Sequence, residues 1–387
     1  MSYVIRSNFK RQIVTLADGV GERIFGKRDV GCSGEIKSIL LIRLDHLGDV
    51  LLTTPAIKSL RQRFPPARIT MVVKKWALEA VKNNPCVDRI IVFNPFWTVS
   101  KGEGTKTAGV AGIYRLIRRL RCERFDLAID FKGDFRNILI AYLSGAKRRI
   151  SYGIRGGGFL LTDVVPYEQG IHEIDKNLRL LAPLGINSGG SHMELYSNSG
   201  DVAKAEEILG QEGIDLRRRT IALHHGGGSH YKRWDMEKFV TLARRLAKDN
   251  STNVLFFGGP YEGKPFRSGE QPEKGIFLMP DMTVCQMAAA FQRCDVLVCN
   301  DSGPMHMALA VDTPTVAIFG PTFANRFGPK DLSKNKVVRS SLPCSPCWHP
   351  DTSIGCKEAD CLKGIAIDEV MAAIEELVQE PMFVDRE

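Results

Sequence analysis

Four short stretches carry residue types and spacings suited to chemistry on an anionic substrate. In RLDHLGDVLLTTP, from Arg43, Gly48 permits a tight turn and Asp49 stands at the entry to the next helix. An aspartate there caps a helix, and a carboxylate at the mouth of a cleft also serves as a general base. In LHHGGGSHYKRWD, Gly226, Gly227 and Gly228 let the backbone approach a ligand closely. Ser229 adds a hydroxyl, and Lys232 and Arg233 add charge, a set suited to holding phosphate. It is no P-loop, because Lys232 lacks the G-K-[ST] context. In FFGGPYEGK, Glu262 is placed to accept hydrogen bonds from ribose or a base, or to be a solvated loop residue. In CNDSGPMHMALAV, turn formers Asn300, Asp301, Ser302 and Gly303 precede an apolar helical pattern holding His306. A helix starting at Gly303 or Pro304 offers unpaired N–H groups and about half a positive charge to a diphosphate. Taken alone, Asp301 or Ser302 reads equally as a cap and His306 as a buried helix residue.

A fifth stretch, CSPCWHPDTSIGCKEADC, places Cys344, Cys347, Cys356 and Cys361 at a spacing that permits a structural zinc site, with His349 in reserve. Free thiols and disulfides fit the same spacing. The other six of the ten cysteines, Cys32, Cys86, Cys122, Cys285, Cys294 and Cys299, are scattered and read as free in a reducing compartment.

The elements that must position these residues alternate. SILLIRL, ARITMVV, DRIIVFN and DLAIDF read as strands, and TTPAIKSLRQRF and GIYRLIRRLRCERF as helices. From about Arg217 the theme recurs in TIALHHG, NVLFFGG, DVLVCND and PTVAIFGP, with MEKFVTLARRLAKD helical. IDEVMAAIEELVQE reads as a closing helix capped by Asp368. Continuous apolar strands alternating with helices imply parallel sheets buried on both faces. Two such halves make a two-domain α/β protein, with ligands beyond the carboxyl ends of the strands. No G-x-G-x-x-G follows the first strand, which argues against a dinucleotide dehydrogenase.

The expected organisation is a basic amphipathic extension and linker over 1–35, one Rossmann-like domain over 36–190, and a second over 191–365. A helix in 366–387 is expected to pack back towards the first domain. In the extension, Ile13, Leu16, Val20 and Ile24 recur at helical spacing among Arg6, Lys10, Arg11, Arg23, Lys27 and Arg28. Such a helix either lies on an anionic membrane or packs on its own protein. The chain has 387 residues, 44% apolar and 25% charged, with a net charge of +9 that favours acidic partners. Basic–aromatic interleaving and nucleic-acid-binding signatures are missing, so nucleic acid is not expected. No apolar run is long enough to span a bilayer and the start lacks a secretory pattern, which makes a cytoplasmic location the default.

From about Lys37 to Val378 the chain resembles glycosyltransferase family 9, the ADP-heptose:lipopolysaccharide heptosyltransferases. ILLIRLDHLGDVLLTTPAIKSLRQRFP, DFKGDFRNILIAYLSGAKRRISYG, the KRW of GGGSHYKRW and NDSGPMHMALAVDTPTVAIFGP carry the resemblance. It implies the GT-B fold: two Rossmann-like domains facing a central cleft, the first binding acceptor and the second nucleotide sugar. It also implies inversion at the sugar without a metal or other cofactor at the reaction centre. The family's catalytic aspartate falls on Asp49 and its diphosphate-contacting lysine on Lys232. Its nucleotide-contacting glutamate falls on Glu262, and its donor-binding motif on Asp301, Ser302, Gly303 and His306, beside Gly226 and Ser229. Its acceptor-side pattern falls on Asp130, Lys132, Gly133 and Arg136. The function so implied is transfer of heptose from ADP-heptose to a lipopolysaccharide inner-core acceptor. Arg118, Arg136, Lys147, Arg148 and Arg149 are expected to meet that anionic, lipid-linked acceptor at the inner face of the membrane. Two alternatives stand beside it: a related transferase with another nucleotide-sugar donor, and a non-catalytic nucleotide-sugar-binding assembly protein.

Overall fold

The computed structural model describes residues 8–25, 34–98, 107–187, 189–248, 251–258, 263, 265–266, 270–347, 356 and 358–379. The chain divides into two compact units, Met1–Glu194 and Leu195–Glu387. The first holds β1 (Ser38–Arg43), β2 (Arg68–Val73), β3 (Arg89–Val92), β4 (Leu127–Asp130), β5 (Arg148–Ser151) and β6 (Asp163–Val164). The second holds β7 (Arg219–His224), β8 (Thr252–Phe257), β9 (Ile276–Leu278), β10 (Val296–Asn300), β11 (Thr315–Phe319) and β12 (Asn335–Arg339).

Both sheets are parallel, and both have the same wiring. The orders are β3-β2-β1-β4-β5-β6 and β12-β11-β10-β7-β8-β9. Strand order therefore reverses between β1 and β4, and again between β7 and β10. Loops leaving adjacent strands at such a point run to opposite sides of the sheet and leave a crevice. Ile42 pairs with Asp130 and Cys299 with His224, so each pair of strands opens its loops at the same level.

The strands form because their apolar runs are buried on both faces, as in every residue of β1 and β10. In the first unit Leu40, Ile42 and Val72 pack with Leu116 and Leu120 of the helix Val110–Glu123. In the second, Val296, Val298 and Ile318 pack with Phe239 and Trp234.

Two helical details differ from expectation. LGDVL is itself a short helix, Leu47–Leu51, ahead of the expected Thr54–Arg63 helix that has Pro55 in its first turn. Gly48 is therefore helical rather than a tight turn, because His46 in extended conformation starts the helix two residues earlier. The closing helix Ile367–Gln379 is not capped by Asp368: the Ala366 N–H donates to the Glu369 carboxylate at 3.1 Å. Val370, Ala373, Ile374 and Leu377 of that helix are buried in the second sheet's core.

The helix Asn8–Phe25 docks on the first unit by an unusual face. Buried Asp18 accepts the Gly157 N–H at 2.9 Å. Gly21 lies so close to Phe159 that an added Cβ would sit 2.4 Å from the ring. The apolar stripe Ile13, Leu16, Val20 and Ile24 points outward, 50%, 71%, 46% and 70% exposed. Among the described residues, no helix is long and apolar enough to cross a membrane.

Candidate functional site

In the first unit the β1–β4 crevice gathers a charged cluster. Arg43 is the last residue of β1, and its buried guanidinium donates from Nη1 to the Phe131 carbonyl at 2.6 Å. Its Nε faces Asp45 at 3.3 Å and its Nη2 faces Asp49 at 3.4 Å. The other Asp49 oxygen accepts the His46 N–H at 3.2 Å. Asp49 thus closes the first turn of its helix from inside and still keeps its side chain 28% exposed. Burial holds the Asp49 carboxyl above the ordinary range; Arg43 pulls it back and Asp45 pushes it further up. For Asp45, burial opposes ionisation, but Arg43 and Lys132 outweigh it and hold the carboxyl low. Trp76, 40% exposed, packs edge-on to His46 at 5.1 Å and gives this cluster an aromatic rim.

Lys132 and Arg136, the expected acceptor contacts, follow β4 on the other side of the crevice. Lys132 is ion-paired with Asp45. Arg136 forks onto Asp134 with two bonds of 2.7 Å, and its guanidinium lies over Trp97. Buried Asp130 organises this loop, taking hydrogen bonds from Lys132 N, Gly133 N, Asn137 and Ser151. Burial pushes its carboxyl up to about 6 despite four donors that favour the charged form. Arg118 is exposed on its helix. Lys147, Arg148 and Arg149 do not join the crevice. They stand at the amino end of β5, where Lys147 pairs with Asp126 and Arg148 with Asp163. Arg149 is buried there and donates to the Leu160 and Ala146 carbonyls.

In the second unit the β7–β10 crevice is locked by Asn300, the last residue of β10. Its amide donates to the carbonyls of His225 and Gly226 at 2.7 and 3.1 Å and accepts the Trp234 N–H at 2.9 Å. One side chain therefore fixes the glycine loop and the start of the following helix together. Arg233 adds a bond to the Gly227 carbonyl at 2.8 Å, and buried Trp234 donates from its ring to the Ile365 carbonyl. Gly226 is buried and Ser229 half-buried, leading into a 3-10 turn, His230–Lys232. That turn aims Lys232 at Asp301, 2.7 Å away, and Thr322 donates to the same Asp301 oxygen at 2.7 Å.

Ser302 precedes the helix Gly303–Ala310 in extended conformation, and Pro304 sits in the first turn. The Ser302 hydroxyl donates back to the Asn300 carbonyl instead of accepting from the helix, so no side chain caps the first turn. Asp301 is spent on Lys232 and Thr322 and is not the cap either. His306 is buried inside this helix. Gly258, at the end of β8, leaves room for the His225 ring, which an added Cβ would meet at 2.9 Å. Glu262 and His349 lie outside the described residues.

Cys344, Cys347, Cys356 and Cys361 are free thiols, but Cys361 is buried in the second core whereas Cys344 and Cys347 are exposed. Among the described residues, no group of three or more His, Cys, Asp or Glu side chains is placed to hold a metal ion.

Arg43, Asp45, Asn300 and Thr322 were not among the expected site residues. Three of the organising groups share a legible signal: Arg43, Asp130 and Asn300 each end an otherwise apolar strand. A polar group there is buried at the mouth of a crevice and must find partners in the flanking loops.

Two six-stranded doubly wound units, each with a polar crevice at its switch point, define a two-unit α/β architecture, and comparison supplies the class. The family model for glycosyltransferase family 9 (heptosyltransferase) matches residues 113–358, and the chain belongs to that family. It is 25% identical to lipopolysaccharide heptosyltransferase 3 of Escherichia coli over 284 residues, 71% of this chain and 81% of that protein. A solved family 9 glycosyltransferase from Veillonella parvula superposes with a TM-score of 0.75 at 25% identity, over 89% of this chain and 98% of that one. The E. coli ADP-heptose lipopolysaccharide heptosyltransferase II superposes at 0.69 with 21% identity, over 89% and 99%. The fold is GT-B, and the protein is a glycosyltransferase of the heptosyltransferase family.

Proposed function

We propose that this enzyme transfers heptose from ADP-heptose to an anionic, lipid-linked lipopolysaccharide-core acceptor by single displacement. The observation that carries the reading is the Lys232–Asp301 pair at 2.7 Å beside the uncapped start of the Gly303–Ala310 helix. A lysine and free helix N–H groups suit a nucleotide diphosphate, whose charge grows as it leaves. Gly226, Ser229, Glu262, Ser302 and His306 complete the proposed donor site.

In the reaction the acceptor hydroxyl oxygen bonds to the anomeric carbon as the bond from that carbon to the diphosphate oxygen breaks. Asp49 takes the hydroxyl proton, and ADP departs with the electron pair of the broken bond. Lys232 and the helix start meet the charge on its diphosphate. Lys132 and Arg136 exchange their present carboxylate partners for acceptor phosphates or carboxylates. The outward apolar stripe Ile13–Ile24 rests on the inner membrane surface, where a lipid-linked acceptor resides. The E. coli relatives named above are lipopolysaccharide heptosyltransferases, one of them an ADP-heptose enzyme by name, which supports donor and acceptor alike.

A thermal-shift panel of ADP, UDP, GDP and ADP-heptose tests the donor. Ligand at a hundred times its dissociation constant stabilises by about 2.7 kcal/mol. Stabilisation by the two ADP ligands and not by UDP or GDP is expected. A preference for UDP or GDP replaces ADP-heptose with another donor.

A further inference from the structure

We propose that Arg43 is a positioning residue for the transfer: it aims the Asp49 carboxylate and supplies the countercharge that lets it work as a base. This rests on the reading of Asp49 given above.

The geometry leaves Arg43 little freedom. Its side chain is 5% exposed, and Nη1 is tied to the Phe131 carbonyl, which belongs to the loop leaving β4. With that edge of the planar fork fixed, Nη2 faces Asp49 and Nε faces Asp45. One guanidinium thus joins the loops on both sides of the β1–β4 crevice and sits between two carboxylates. Asp49 is further fixed by the His46 N–H, and the remaining exposure of its side chain is where a hydroxyl approaches. A lysine supplies a point charge but not the planar fork that reaches three acceptors at once.

The charged groups acting on Asp49 come from three elements. Arg43 is on β1, Asp45 and His46 are on the following loop, and Glu173 starts the helix Glu173–Arg179. Glu173 is itself paired with Lys176 at 2.8 Å. Arg43 and His46 favour the charged base, whereas Asp45 and Glu173 oppose it, as does burial. A base is active when deprotonated, so activity falls as pH drops through its pKa. Removing Arg43 raises that pKa and moves the fall to higher pH; removing Asp45 moves it to lower pH.

The test is the acid limb of kcat/KM, measured with ADP-heptose and a lipopolysaccharide-core acceptor, in Arg43→Met, Arg43→Lys and Asp45→Asn. Arg43→Met is expected to move the limb up by about 1 pH unit or more, the effect of losing one opposite charge at close range. Asp45→Asn is expected to move it down. Arg43→Lys keeps the limb within about 0.5 unit while losing roughly tenfold in rate, because charge survives and the fork does not. Carboxyl 13C NMR of aspartate-labelled protein, with the Asp49 signal assigned by its loss in Asp49→Asn, reads the same shifts without turnover. If Arg43→Met does not fold, the Lys and Asp45→Asn variants carry the test. Lower rates with unmoved limbs and unmoved NMR midpoints in Asp45→Asn, and in Arg43→Met where it folds, overturn the proposal. Full turnover in Asp49→Asn overturns instead the reading it rests on, and the NMR midpoints keep the two failures apart.

Discussion

Asp49 and Lys232 show how a residue serves a helix or a loop and chemistry at once. Asp49 accepts the His46 N–H and so closes its own helix turn, yet it keeps an exposed edge beside Arg43. Capping and base therefore need not be alternatives. Asp49→Asn keeps much of the cap but cannot take a proton, so transfer is expected to fall about 10²–10⁴-fold with ADP affinity unchanged. Turnover assays paired with ADP titration check this; equal losses in both would point to a structural role. Lys232→Ala removes a charge from the leaving diphosphate and is expected to cost roughly 10²–10³ in rate. A rate unchanged at saturating donor would exclude Lys232 from the departing charge. Asp49 and Lys232 both stood out in the sequence as polar residues in strand-end loops, but an aspartate at a helix start is also a cap, and their proposed roles came from the family resemblance. Arg43 and Asp45 did not, because their role appears only when β4 is placed beside β1.

Among the elements, strand ends do the positioning. Asn300 ends β10 and bonds the glycine loop and Trp234 together, across 66 residues of sequence in the Trp234 case. Asn300→Ala leaves those buried backbone groups without their partner and is expected to destabilise the chain by about 2–3 kcal/mol. Denaturant unfolding reads the loss, and a change under about 0.5 kcal/mol would show the loops hold themselves. Asp130 does the same work after β4. Its pKa is raised by burial, so its contribution is fullest at low pH and is lost as pH rises through about 6. The strands were legible from continuous apolar runs, and the helices from their period. The short helix at Leu47 was not, since Gly48 suggests a turn until the His46 N–H is seen to donate to the Asp49 carboxylate in the first helical turn. The basic run Lys147–Arg149 misled for a related reason: sequence gives charge but not which end of a strand bears it.

At the scale of the whole molecule, the same wiring is used twice, and each copy places its polar groups at the point where strand order reverses. The first unit carries the proposed base and the second the proposed donor site, each built from loops after two adjacent strands. The chain's net charge of +9 and the outward stripe on the Asn8–Phe25 helix suit an anionic surface. Leu16→Asp with Ile24→Asp is expected to weaken binding to anionic vesicles roughly tenfold or more while Asp18 still holds the helix to the protein. Vesicle sedimentation checks this, and unchanged binding would leave the stripe without a membrane role. The most direct test of the central claim is mass spectrometry of a heptose-acceptor lipopolysaccharide core incubated with the enzyme and ADP-heptose. A mass gain of one heptosyl residue, with ADP released and the gain lost in Asp49→Asn, is the expected result. No gain with ADP-heptose, and a gain with a different nucleotide sugar, would contradict it.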